Sequence, residues 1–135
     1  MQENAFLDAV ERHADLESRD QAYTVTSATL TVLGQRITEG EAENVASQLP
    51  AHLDDLLMSK SAEAEEFSAD RFVSRIDDRE DVLSDVDADA EHHARAVLTV
   101  LGDAVSGSEL EDAREQLPDE FDPLFEPVDL SEQQY

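Results

Sequence analysis

Apolar residues recur along this chain at helical spacing, in blocks. Phe6, Leu7, Val10 and Ala14 fall at i, i+1, i+4 and i+8, which is one face of a helix, with charges on the other face. Asn4 is the N-cap this pattern predicts, and the polar run from Leu16 to Asp20 reads as a loop. A second helix is predicted from Gln21 to Ile37, capped by Asp20. Its apolar stripe (Ala22, Val25, Ala28, Val32, Leu33, Ile37) is broad and almost free of charge before Arg36, so this helix is expected at the centre. Thr38 and Glu41 fit a capping box, threonine at N-cap and glutamate at N3, opening a short helix over about 39–48. Pro50 cannot continue that helix and suits the first position of a fourth, which carries Leu53, Leu56, Leu57 and Met58.

The pattern then starts again. Residues 59–69 read as a linker with Phe67 tucked back at its end. Phe72, Val73 and Ile76 repeat Phe6, Leu7 and Val10, and a loop is expected from Asp77 to Asp87. A sixth helix is predicted over about 88–104, a seventh over about 108–116 behind a second capping box at Ser106 and Glu109, and an eighth from Asp119 with Phe121, Leu124 and Phe125. Pro127 should end it, leaving a flexible tail over 127–135. The segment Thr31-Val32-Leu33-Gly34 returns as Thr99-Val100-Leu101-Gly102, and Gln48-Leu49-Pro50 returns as Gln116-Leu117-Pro118. Without a gap, 13 of 31 positions are identical between residues 28–58 and 96–126, which marks an internal duplication. No run alternates with period two for long enough to make a strand. The expected fold is all-α: a tandem duplication of a four-helix unit, about eight helices sharing one core with pseudo-two-fold symmetry. It forms a single domain over 1–135, with repeats at 4–58 and 70–126. Gly34 and Gly102 sit inside helices, where glycine costs ~1 kcal/mol against alanine. Its recurrence predicts close approach of another helix at both points.

Charge changes the picture next. Thirty-four acids face nine bases, only one of them lysine (Lys60), for a net charge of −25 on 135 residues. In dilute buffer such a domain repels itself, whereas at molar salt the screening length falls to ~3 Å. The composition therefore points to the cytoplasm of a halophilic archaeon, with hydrated cations associating nonspecifically with the acid shell. No basic patch exists to neutralise phosphates, so no nucleic acid is expected as partner. No apolar run approaches the ~18 residues of a membrane span, and the N-terminus lacks the basic and apolar regions of a secretory signal. The absence of cysteine removes disulfides, thiolate metal sites and cysteine nucleophiles.

The order of these motifs resembles a known prokaryotic helical family, the domain of unknown function 2267. The likeness rests on Phe6 with Val10, Ala28 to Gly34, and Gln48-Leu49-Pro50. It returns as Phe72 with Ile76, Ala96 to Gly102, Gln116-Leu117-Pro118 and the ending Phe121, Leu124, Phe125. The acidic surface resembles haloarchaeal members. The resemblance implies an all-helical tandem fold and supplies no activity, cofactor or catalytic residue.

Candidate chemistry is sparse. Asp89, His92 and His93 lie within one turn of a helix, where a carboxylate and imidazoles can share a metal. The first half has Thr24 and Val25 in place of the histidines, so no symmetric ligand set exists, and a solvated surface pair is the plainer expectation. Asp85 to Asp89 resembles the start of a calcium loop, but Ala90 stands where glycine is required and Ala96 where the bidentate glutamate belongs. The two Gln-Leu-Pro segments are read as structural: leucine fills the core, proline turns the corner, and glutamine bonds backbone groups freed at a helix end. No cofactor is expected. The leading reading is a non-enzymatic helical module that contacts a protein partner or a second copy of itself. The alternatives are a small-ligand binder in the cleft between the repeats and a metal-dependent protein.

Overall fold

The computed structural model describes residues 2–50, 52–58, 66–83 and 90–125. They form seven α-helices and one 3₁₀ helix: α1 (Glu3–His13), α2 (Arg19–Arg36), α3 (Glu39–Ala46), α4 (Leu53–Met58), α5 (Ala69–Leu83), α6 (Ala90–Ala104), α7 (Gly107–Glu115) and the 3₁₀ helix Asp119–Phe125. No strand occurs among the described residues. The all-α class with about eight helices holds.

The uncharged stripe on α2 places it where expected, in contact with α1, α4, α5 and α6. One hydrophobic cluster draws on both halves of the chain, from Phe6, Leu33 and Leu57 to Phe72, Leu101 and Phe121. At its centre Phe72 meets Phe121 edge-to-face at 5.6 Å between ring centroids, a preferred aromatic geometry. Phe67 packs back against Phe72, as its place at the end of the linker predicts. The rest of that linker (59–65) and the tail (127–135) lie outside the described residues.

Gly34 confirms the close approach expected of it. A Cβ there would stand 2.0 Å from the carbonyl oxygen of Leu57, so the backbone of α4 passes directly over α2. Nearby, the Thr31 hydroxyl donates to the carbonyl of Leu56 at 3.5 Å. Gly102 differs: its added Cβ would meet only the Cδ2 of Leu110, at 3.1 Å.

Several boundaries move for identifiable reasons. α1 begins at Glu3, behind Gln2, because Asn4 is engaged elsewhere: its Oδ1 accepts from Arg19 Nη1 at 2.7 Å. Ser18, not Asp20, caps α2, accepting the Gln21 N–H at 3.2 Å. Pro50 does not open α4; His52 follows with φ 78°, a left-handed turn, and the helix starts at Leu53. The loop expected from Asp77 is instead helix through Leu83, which carries Glu80 into the core. The last element is 3₁₀ rather than α, because Pro123 has no N–H to give and its ring collides with the carbonyl four residues back in an α-helix.

Candidate functional site

The ends of α3 and α7 are built alike. Past each helix the chain tightens: Gln48 N–H and Leu49 N–H bond to the carbonyls of Val45 and Ala46, and Gln116 N–H and Leu117 N–H to those of Ala113 and Arg114. Each bond reaches back three residues instead of four, which tightens the turn. Leu49 and Leu117 are buried, as their motif predicts, and the glutamine side chains are left to reach outward.

They reach across to the opposite half. Gln116 Oε1 accepts the backbone N–H of Thr38, the N-cap of α3, at 2.9 Å, and its Nε2 donates to the Thr38 hydroxyl at 3.2 Å. Gln48 Oε1 accepts the backbone N–H of Ser106, the N-cap of α7. The glutamines do bond backbone groups, but at the start of the other half's helix rather than the end of their own.

This exchange opens both capping boxes. Thr38 and Ser106 still accept the N–H groups of Glu41 and Glu109, each at 3.3 Å. In a closed box the glutamate would return the bond to the N-cap N–H, and that donor is already taken. Glu41 Oε1 and Glu109 Oε2 are consequently buried with no hydrogen-bond partner. Glu41 is 9% exposed. Glu41, Glu109 and Asp112 each bring a carboxylate oxygen within 4.8 Å of the others. Burial first, then the charges of Asp112, Glu109 and Glu115, hold the Glu41 carboxyl above its ordinary value of 4.5.

The histidine pair is placed differently from the surface pair expected. His93 is 2% exposed and its Nδ1 lies 3.0 Å from both carboxylate oxygens of Glu80, itself 2% exposed. With the carboxylate ionised, Nδ1–H is the donor and is shared between the two oxygens. His92 is half-buried, its ring 6.4 Å from that of His93. Asp89, the third member of the proposed ligand set, lies outside the described residues.

Residues 3–124 match the family described as Uncharacterized conserved protein (DUF2267). The chain belongs to that family. No curated protein matches it. The match takes in both Gln-Leu-Pro segments of this DUF2267 chain, both glutamates they release, and the Glu80–His93 pair.

Two clefts flank these groups. One, of about 440 Å³, runs along α7 and the 3₁₀ helix and is lined by Glu111, Arg114, Glu115, Leu117, Asp119 and Asp122. Arg114 pairs with Asp122 at 3.3 Å and lies over the Phe125 ring at 4.9 Å. The other, of about 420 Å³, lies between the two halves and is lined by Arg36, Glu66, Phe67, Ser68, Pro118 and Glu120. Arg36 donates through Nε to the Phe67 carbonyl at 3.0 Å and stacks over Phe67 and Phe121. It is 7% exposed and has no carboxylate partner among the described residues. Glu80, Glu41 and Arg36 are the groups that sequence reasoning missed. A signal existed for the first: Phe72, Ile76 and Glu80 fall at i, i+4 and i+8, on one helix face.

Proposed function

We propose that this chain is a non-enzymatic helical binding module that receives a basic segment of a protein partner along α7 and the 3₁₀ helix. The observation that supports it is the acidic cleft there, lined by Glu111, Glu115, Asp119 and Asp122 together with Arg114 and Leu117, with Arg114 lying over the Phe125 ring. A lysine or arginine stem packs on apolar surface such as that of Leu117 while its head pairs with the acids. Two copies of this chain would bring like charge together at that face, so a basic partner fits better than self-association. The reading includes adaptation to a salt-rich cytoplasm: with the screening length at ~3 Å, only contact ion pairs of this kind retain attraction. The test is photo-cross-linking inside the native cell from position 119 and, on a different helix, from position 23. Capture of one protein through a lysine- or arginine-rich segment, from 119 alone, supports the reading; equal capture from both, or capture of the chain itself, sinks it.

A second reading is favoured by Arg36. A nearly buried cation without a carboxylate partner among the described residues, lining the cleft between the halves, suits a small ligand bearing a carboxylate. Screening small carboxylates by thermal shift against the wild type and Arg36→Gln tests this, since a shift that survives the substitution removes the argument.

A further inference from the structure

The two glutamates freed by the exchanged caps raise a question apart from any protein partner: what neutralises them. Glu41 stands at N3 of α3 and Glu109 at N3 of α7, so each carboxylate occurs in a place where it ordinarily finishes a capping box. The glutamines of the opposite halves occupy the N–H groups they would bond. Glu41 is more than nine-tenths buried, its Oε1 has no hydrogen-bond partner, and one of its carboxylate oxygens lies within 4.8 Å of one from Glu109 and one from Asp112. A buried carboxylate oxygen with no partner is costly, and three carboxylates converging on one point repel one another. A divalent cation at that point answers both.

We propose that Glu41, Glu109 and Asp112 form a calcium site that ties α3 to α7. The donor chemistry selects the ion. All three donors are carboxylate oxygens, which suit hard cations and not zinc or copper. Coordination habit favours calcium over magnesium: Mg²⁺ demands near-ideal octahedral geometry and gives up its waters reluctantly, whereas Ca²⁺ takes irregular sets of carboxylate oxygens. The three oxygens here lie within 4.8 Å of one another, close enough for one ion to touch all three, and the part-exposed side at Glu109 and Asp112 leaves room for water to complete its shell. The site joins residues of the two halves beside the points where the glutamines already join them.

The test must separate a built site from diffuse cation association with a chain of net charge −25. Chelator-stripped full-length protein is titrated with CaCl2 by calorimetry in ~1 M KCl, where the short screening length suppresses diffuse association. A parallel thermal melt with and without Ca²⁺ provides a second readout. The expected result is one saturable equivalent with Kd near ~10⁻⁴ M and a raised Tm, as for sites with few charged ligands. Glu41→Gln, Glu109→Gln and Asp112→Asn should each weaken binding about tenfold or more. Asp78→Asn, an equal charge change at an exposed position on α5, should leave it unchanged. Should Glu41→Gln lose its helical circular dichroism, the other two variants decide. The proposal is overturned if neither heat nor Tm responds to ~10 mM Ca²⁺, far above that Kd, or if Asp78→Asn weakens binding as much as the ligand substitutions.

Discussion

Replacing Gly34 with alanine sets a methyl group against a backbone that cannot turn aside. The new Cβ would lie 2.0 Å from the Leu57 carbonyl oxygen, and real Cβ atoms keep at least 3.0 Å, so α4 must retreat from α2 by about 1 Å. Leu53 and Leu57, both fully buried on α4, move with it. Overpacking of a core costs ~1–3 kcal/mol, and a rigid backbone obstacle puts this case at the upper end. Loosening the Thr31 hydroxyl from the Leu56 carbonyl adds a part of the ~1 kcal/mol of a hydrogen bond. Alanine returns ~1 kcal/mol of helix propensity. The net expectation is a loss of ~2–3 kcal/mol. At Gly102 the same change meets only the tip of the Leu110 side chain, which can rotate, so the propensity gain remains and stability is unchanged or raised by up to ~1 kcal/mol. The assay is urea denaturation in high KCl followed by far-UV circular dichroism. With m near ~2 kcal/mol per molar, the Gly34→Ala midpoint should fall by ~1 M while the Gly102→Ala midpoint holds or rises. A Gly34→Ala protein as stable as the wild type, or a larger loss at Gly102, refutes the close-approach argument.

Removing one partner of the Glu80–His93 pair, as in His93→Leu, should cost ~3–5 kcal/mol by stranding a buried charge, and Glu80→Met in the same chain should restore most of it; a single-substitution cost below ~1 kcal/mol in the same denaturation assay contradicts the pair. For Glu41, the folded carboxyl titrates above its ordinary value of 4.5, so its share of stability is fully present below that value and is lost as pH rises through the folded pKa. In calcium-free buffer Glu41→Gln should therefore raise stability at pH 7 and flatten this part of the pH profile, and an unchanged profile would count against the burial of that group. Because the chain carries a net charge of −25, Tm should climb as KCl rises from ~0.01 to ~1 M, and a flat Tm would show that self-repulsion does not limit the fold.

What the sequence made legible is what repeats at short range. The stripes on α2 and α6, the caps Thr38 and Ser106 and the inward leucines follow from residues within a few turns of one another, and the close approach at Gly34 follows from a glycine that recurs at Gly102. What it concealed depends on distant partners. Glu80 stands in a run of charges, Asp77 to Asp81, that reads as solvated, and only His93, thirteen residues on and in another helix, explains its burial. The first half carries buried Ala14 and Val25 at the matching positions, so the sequence repeat itself gave no warning. The capping boxes misled in an instructive way. Threonine and glutamate at the right spacing predict that both are satisfied, and nothing local reveals that a glutamine 78 residues away takes the donor. The released carboxylates, and hence the candidate site, follow only from that long-range contact.

The freed carboxylates of Glu41 and Glu109 depend on the exchange of caps between the halves, and amide hydrogen exchange by NMR reads that exchange at each N-cap. Gln116→Ala should strip protection from the Thr38 amide and leave Ser106 protected, while Gln48→Ala should do the reverse. Loss of protection at the N-cap of the substituted half's own helix, or no change at either amide, would contradict the account.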